Sequence, residues 1–386
     1  MNKKHIGIIF QGNHEWIGGF FYIKHLLVAI NSLSQDEKNN ISLSLIAINV
    51  EKNMLEQFRN LVDQVIEIPG WKSFIQKGKN RLLKNLSILD YRFLKDYKFD
   101  FIYPYISSDN VPFAWGGWIP DFQHIHLPNY FSKREIQIRD LIFAKIAKYA
   151  STIILSSNMA KKDFCRLYPD EANKSQVMQF SSYFDKEWLL QEPSHVQLKY
   201  KLPDRFFLVC NQFWKHKDHI VIIEALKILK KDKVYPIIVC TGKTEDYRYP
   251  NYITKLISLI KNLDLESQFY ILGFIPRIDQ IQLMRKAMAV IQPSLFEGWS
   301  TVVEDARALG KPMILSDFPV HIEQNPPYSD YFERNNPEKL ASLIKNYHLE
   351  LKEGPCSDKE AIAQIDNEKR IRAFGRRFLE IAFSVI

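Results

Sequence analysis

No stretch of this chain reaches the roughly 18 uncharged apolar residues that crossing a membrane as a helix requires. The nearest, LIFAKIAKYASTIILSS, is interrupted by Lys145 and Lys148. The opening MNKKHIGIIFQGNHEW begins basic, but its apolar segment is too short for a signal peptide and reads as a first strand. Both observations lead to the expectation of a cytoplasmic protein. Cysteine is scarce and scattered: Cys165, Cys210, Cys240 and Cys356 form no C-x-x-C pair, which removes the usual zinc and dithiol redox motifs. Cys210 and Cys240 close the apolar runs FFLVCNQ and PIIVCTG, where a thiol packs as a small hydrophobe. Internal repeats and low-complexity tracts are also missing.

What is present is ordinary globular composition, 46% hydrophobic and 25% charged residues, over 386 residues. That length exceeds what one core organises, so two domains of roughly 180 residues each are expected. The net charge of +8 is unevenly spread. Between Trp71 and Asp100 eight Lys/Arg stand against three Asp, with Leu82, Leu83, Leu86, Leu89, Phe93 and Leu94 recurring at helical spacing. Two readings are balanced here: a basic amphipathic helix resting on an anionic membrane surface, and a helix packed by one face with its charges in water. No motif for nucleic-acid binding accompanies the charge, so nucleic acid is not expected as a partner.

Short apolar runs alternate with helical patterns from end to end. HIGIIF, SLSLIAINV, QVIEIP, FDFIYPYI and STIILSS are the strand candidates of the first half; RFFLVCNQ, YPIIVCTG, QFYILGFI, MAVIQPS and KPMILSD repeat the theme in the second. Continuous apolar strands separated by helices indicate α/β architecture with parallel sheets covered on both faces. The rhythm breaks at YFDKEWLLQEPSHVQLKYKLPDR. The expected organisation is therefore a first Rossmann-like domain over 1–185, a linker over 186–204, a second over 205–365 and a C-terminal helix over 366–386 packing back on the first. Doubly wound sheets bind ligands outside the carboxyl ends of their strands, which places a ligand cleft between the two domains.

One segment concentrates the chemistry. In PSLFEGWSTVVEDARALGKP an apolar strand runs into a turn carrying Glu297 and Gly298, and a helix that Gly310 ends runs out of it. Glu297 then lies at a strand's carboxyl end. The amides of Trp299, Ser300 and Thr301 lie at a helix N-terminus, where anionic oxygen binds. Glu304 and Asp305 follow at the distance of neutral hydroxyls on the same ligand. An acid, a ring of amides and a second acid suit a sugar ring, a diphosphate and a ribose.

This segment resembles the donor-binding segment of glycosyltransferase family 4, whose pattern is E-G-F-G, four residues, E-A-x-x-x-G-x-P. The resemblance extends in order from NQFWKHKDHIVIIEAL through LGFIPRIDQIQLMRKAMAVIQPS. It implies the GT-B fold: two Rossmann-like domains, the second holding a nucleotide-sugar donor and the first an acceptor. The implied activity is retaining transfer of a hexose to a glycan hydroxyl, without a metal or other cofactor, and no Asp-x-Asp stands at a strand end to suggest otherwise. Implied donor contacts are Lys217, with Lys215, Asn211 and Gln212 where the family has an arginine; Gly242; Gly273, Phe274 and Ile275 around the base; and Glu304 or Asp305 at the ribose. Register favours Asp305 and reach favours Glu304; both are expected candidates, with Glu304 preferred on reach.

In the first domain Gly18 and Gly19 resemble the family's Gly-Gly loop, Gly19 against the donor phosphate and Gly18 towards the acceptor. WIPDFQHIHLP supplies Asp121, His124 and His126 at a strand end, with both imidazoles on one side of a strand and His126 as the contact to the transferred sugar. No third ligand at usable spacing supports zinc. The basic stretch adds the expectation of a polyprenyl-linked acceptor at the inner membrane face, as in surface polysaccharide or O-antigen assembly. Two rivals share the fold: a sugar-nucleotide epimerase and a non-catalytic nucleotide-sugar-binding subunit.

Overall fold

The computed structural model describes residues 3–11, 17–68, 91–107 and 110–386. The basic segment lies outside the described residues as far as residue 90; beyond it, Tyr91–Phe93 and Lys95–Tyr97 form 3₁₀ turns and Leu94 is buried. By its contacts the chain divides into one unit of Met1–Ser181 with Lys369–Ile386 and a second of Ser182–Glu368.

Among the described residues the first unit holds a seven-stranded sheet. Its strands are β1 (Lys4–Gln11), β2 (Ile41–Ile48), β3 (Gln64–Ile68), β4 (Phe101–Tyr103), β5 (Ala114–Ile119), β6 (Thr152–Leu155) and β7 (Ser175–Val177), in the order β3-β2-β1-β4-β5-β6-β7. All neighbours pair in parallel. Apolar side chains lie on both faces of the sheet because helices cover both, so β1, β2 and β6 are buried along nearly their whole length. Gly117 in β5 is required by packing, since a Cβ there would collide with Ile146 of the covering helix Lys133–Tyr149. The C-terminal residues 369–386, the last part of helix Ser357–Phe383, count with this unit. There Gly375 sits so close to the carbonyl of Ala29 that no side chain would fit.

The second unit is a six-stranded parallel sheet of β8 (Phe207–Cys210), β9 (Ile238–Thr241), β10 (Phe269–Gly273), β11 (Val290–Gln292), β12 (Met313–Ser316) and β13 (Ser329–Phe332), ordered β10-β9-β8-β11-β12-β13. One face packs on helices His219–Lys231 and Pro337–Glu350, the other on Arg277–Lys286 and Thr301–Ala308. Cys210 and Cys240 are free thiols in this core, and burial pushes the Cys210 thiol up to about 12. Residues 186–204, expected as a linker, belong to this unit instead. They form helices Lys186–Leu189 and Pro193–Lys199, which are docked on helix Arg277–Lys286 through Trp188, Val196 and Tyr200. Lys199 Nζ and the Tyr200 hydroxyl both donate to Asp279 at 2.6 Å.

In each sheet the strand order reverses beside its first strand, between β1 and β4 and between β8 and β11. Such a switch point leaves a crevice at the carboxyl edge that no crossover helix fills. In the second unit the residues that follow β8 and β11 are Asn211 and Pro293, and the loops they open meet there.

Candidate functional site

The two loops at the β8/β11 switch point are tied by main chain: the Leu295 amide donates to the His216 carbonyl at 2.8 Å. A 3₁₀ turn over Lys215–Lys217 aims Lys217 across the gap, and its Nζ donates to Glu297 Oε1 at 2.6 Å. Side-chain exposures of 16% and 9% make this a largely desolvated ion pair at the carboxyl edge of the sheet. Sequence reasoning names both residues but not their contact.

The pair does not stand alone. Gln292, the last residue of β11 and fully buried, donates through Nε2 to the same Glu297 Oε1 at 2.7 Å. Its carbonyl accepts from Asn211 Nδ2 at 2.6 Å. Asn211, expected to contact the donor directly, is thus buried with its amide turned to Gln292, a correction the structure makes. Behind the turn, the Ser316 hydroxyl donates to the Ser294 carbonyl at 2.7 Å and meets His321 Nδ1 at 3.0 Å. Gln292 escaped the sequence reading, although an amide closing the apolar run MAVIQ was a visible anomaly.

The helix Thr301–Ala308 that follows is buried on nearly every side. Its N-terminal amides were expected to be open to an anion, but the Ser300 amide donates to Gln324 Oε1 at 3.3 Å. Gln324 returns through Nε2 to the Ser300 carbonyl at 3.0 Å and to Glu304 Oε1 at 2.9 Å. Glu304 Oε2 lies 3.5 Å from Arg307 Nε, so both its oxygens are engaged inside the unit. Asp305, one residue on and about 100° around the helix, turns elsewhere. Its Oδ1 accepts from the Ser182 hydroxyl and from Arg277 Nη2, the latter at 2.5 Å, while its Oδ2 is buried with no hydrogen-bond partner. Arg277 also reaches Gln280 at 2.8 Å, and Gln280 reaches Thr241 Oγ1 at 3.3 Å.

The neighbouring strand ends are glycine-shaped. Gly242 has φ +139°, its amide donates to the Gly273 carbonyl at 2.8 Å, and a Cβ on it would strike the Asn211 carbonyl. Gly273 has φ +69° and faces open space. Beside it Phe274 is exposed, 5.8 Å from Lys243 Nζ, and Ile275 is buried. Lys215 lays its Nζ over the Tyr249 ring at 4.6 Å. Gln212 accepts the Trp214 amide on its carbonyl at 2.7 Å, and Gly298 and Thr301 are half-buried at the rim of the turn.

In the first unit the expected site residues fall differently. Gly18 and Gly19 lie in the first turn of helix Ile17–Asn31, Gly18 exposed and Gly19 buried, rather than in a loop. The histidines sit in the single helical turn Gln123–His126, not on a strand. Asp121 causes this, its Oδ1 accepting the Gln123 amide at 2.9 Å and turning the chain. Two residues apart on a helix is about 200°, so the imidazoles diverge. Nε2 of the buried His124 pairs with Asp140 at 3.0 Å, and burial holds this imidazole below its usual range. His126 Nε2 pairs with Asp163 at 2.6 Å. Among the described residues no group of three His, Cys, Asp or Glu is placed to hold a metal ion, and no helix is long and apolar enough to cross a membrane.

Comparison with known proteins agrees with this layout. Residues 191–353 match the family model of the glycosyl transferases group 1. The O-antigen chain mannosyltransferase RfbU of Salmonella typhimurium is 23% identical over 228 residues, 59% of each chain. The chain spans about three fifths or less of the length of the curated relatives it matches. Among solved structures, a glycosyltransferase from Rickettsia africae is similar over 100% of this chain and 99% of its own, with 17% identity and a TM-score of 0.66. Anabaena Alr3699/HepE, solved with UDP and glucose, is similar over 99% of both chains with 17% identity and a TM-score of 0.67. The segment with Lys217, Gln292, Glu297 and Asp305 lies inside the matched range. The fold is GT-B, and residues 191–353, which fall within the second unit, are similar to the glycosyl transferases group 1.

Proposed function

We propose that the chain is a retaining glycosyltransferase, moving a hexose from a nucleoside-diphosphate sugar to a hydroxyl of a glycan acceptor in O-antigen or related surface polysaccharide assembly. The observation that carries this is the Lys217–Glu297 pair at 2.6 Å, desolvated at the β8/β11 switch point. A cation and a carboxylate there answer the two charges of the reaction. Lys217 takes up negative charge on the departing diphosphate, and Glu297 faces positive charge developing at the anomeric carbon. The acceptor oxygen bonds to that carbon on the face the phosphate leaves, and the departing phosphate oxygen takes the acceptor's proton. On this reading no protein nucleophile, metal or cofactor takes part.

Asp305 rather than Glu304 is the ribose acid in this reading, because its Oδ2 is an acceptor without a donor and Glu304 has none to spare. Gly242 and Gly273 to Ile275 flank the nucleotide. In the first unit, His126 is the proposed contact to the transferred sugar, its tautomer set by Asp163. Gly18 and Gly19, in the first turn of helix Ile17–Asn31, would let the donor phosphate and acceptor approach. A polyprenyl-linked acceptor and peripheral attachment at the inner membrane face complete the proposal, motivated by the basic composition of 71–100.

The test is a donor screen with UDP-, GDP-, dTDP- and CMP-sugars, reading thermal shift and slow hydrolysis. One donor is expected to raise Tm and be hydrolysed. Asp305→Asn is expected to weaken binding of that donor about tenfold, the cost of one charged hydrogen bond, whereas Glu304→Gln lowers Tm without a selective loss of affinity. Equal affinity loss in both variants would remove the assignment. Gln212, standing where the family has an arginine, favours one second reading: a nucleotide-sugar-binding subunit without chemistry, which would show the thermal shift and no turnover.

A further inference from the structure

We propose that Gln292 is a positioning residue for Glu297, and that Asn211 acts through it by fixing which end of the Gln292 amide faces the carboxylate. The proposal rests on the glycosyltransferase reading above. It starts from a cost: Gln292 is wholly buried at the end of a strand whose other residues are Val290 and Ile291, and Asn211 is 3% exposed beside it. Burying an amide is unfavourable unless its hydrogen bonds are made, and an apolar side chain at either position would serve the sheet as well. Two buried amides facing each other across a switch point therefore call for a role at the site.

Their orientation follows from elementary chemistry. An ionised carboxylate only accepts hydrogen bonds, so Gln292 must turn its NH₂ end to Glu297. Its carbonyl then points at Asn211, which must in turn present an NH₂. The geometry has this polarity throughout, Asn211 Nδ2 to Gln292 Oε1 at 2.6 Å and Gln292 Nε2 to Glu297 Oε1 at 2.7 Å. Each dipole reinforces the next, so the chain is stiffer than its separate bonds.

The consequence concerns what happens when a donor enters. Lys217 and Gln292 both end on the same oxygen, Glu297 Oε1. A diphosphate draws Lys217 away, and the carboxylate then keeps a donor that orients it without neutralising it. Glu297 thus meets the anomeric carbon with its charge intact and its position fixed. The Ser300 and Ser294 hydroxyls lie 3.2 and 3.3 Å from the same Nε2 and share its second hydrogen.

The experiment is steady-state kinetics of the full chain with the donor found in the screen. Gln292→Leu is expected to lower kcat about 10- to 100-fold, the cost of a misplaced reacting group, with donor KM within about threefold and a Tm lowered by a few degrees, because the buried Asn211 amide loses its acceptor. An ionised Asp at 211 cannot donate to the Gln292 carbonyl, so in Asn211→Asp two carboxylates compete for the Gln292 NH₂ and its hold on Glu297 is weakened. A kcat loss as large as that of Gln292→Leu is expected, and Asn211→Asp added to Gln292→Leu should cost nothing more. If Gln292→Leu does not fold, Asn211→Leu carries the test, with an expected kcat loss of about tenfold at unchanged KM.

Full turnover in Gln292→Leu, additive losses in the double variant, or a loss carried by KM alone would overturn the proposal. A wild-type chain inert with every donor would defeat the glycosyltransferase reading itself, and the proposal with it. An active wild type with an insensitive Gln292 defeats only this inference.

Discussion

Glu297→Gln is expected to lower donor turnover by about 10²–10³-fold, the scale seen when one electrostatic contact to a transition state is removed, while nucleotide affinity changes far less. The substitution conserves shape and removes only charge. In the free protein it deletes one half of the 2.6 Å pair with Lys217, and removing one partner of a buried pair is costly because the other is left desolvated. Here that cost is small. Lys217 keeps 16% side-chain exposure and can turn towards water, and Gln292 can still donate to a carbonyl at position 297. A drop in Tm of a few degrees at most is therefore expected, so lost activity would not reflect lost fold.

Affinity for the nucleotide is the useful contrast. With its carboxylate partner gone, Lys217 is freer to meet a diphosphate, so the thermal shift from UDP or its counterpart is expected to be equal or larger in the variant. A catalytic role for Glu297 would be abandoned if kcat stayed within threefold of wild type. Loss of nucleotide binding together with kcat would instead make Glu297 a structural prop for the Lys217 turn.

Much of this arrangement was legible in the sequence because it is local. Strands such as IGIIF and FFLVC are short apolar runs with nothing polar to place them at a surface, so most of both sheets could be read, though not β5, β7 or β13, whose runs are short or mixed. Glu297 could be placed at a strand end from the run and turn around it, and Lys217 from the family resemblance. What could not be read depends on partners far along the chain. Gln292 meets Asn211 across 81 residues and Gln324 closes on Ser300 across 24, and no periodicity encodes such meetings. Nor could the choice between Glu304 and Asp305 be made. Both are buried because the helix is enclosed, and only their partners Arg307 and Arg277 tell them apart.

The strand expected at His124 and His126 is absent for a related reason. Alternation fits a strand, but the Asp121 carboxylate captures the Gln123 amide and the chain turns instead. In β5, a strand not among the apolar runs, Gly116 makes room for Phe101 and Tyr103 of β4 and Gly117 for Ile146 of the covering helix.

Acid is expected to weaken the second unit well before general acid unfolding, through two histidines that serve its core as neutral rings. His219 is stacked on Phe213 at 4.3 Å with neither ring nitrogen hydrogen-bonded, and burial, aided by Lys217, pushes its pKa down to about 3. His321 is held down to about 4, again by burial, against the opposing pull of Glu297 and with Lys217 and Arg334 adding to the depression. An unfolded histidine titrates near 6.5. Below that pH the unfolded chain takes up protons that the folded one refuses, and each ring removes about 1.4 kcal/mol of stability per pH unit.

Asp218 opposes them, since burial raises its carboxyl to about 6 and the folded state gains there as pH falls from 6 to the ordinary carboxylate range. One histidine slope therefore survives from pH 6 to pH 4, and both act between 6.5 and 6. The net loss is on the order of 4 kcal/mol by pH 4, a large share of the stability of a domain. Urea midpoints measured at intervals from pH 7 to pH 4 should fall steadily, and in His219→Phe, which keeps the stack and removes one titration, they should be nearly level between pH 6 and pH 4. Midpoints that are level in the wild type, or that fall equally in the variant, would show that these rings take up protons in the folded state and are not the neutral core groups described above.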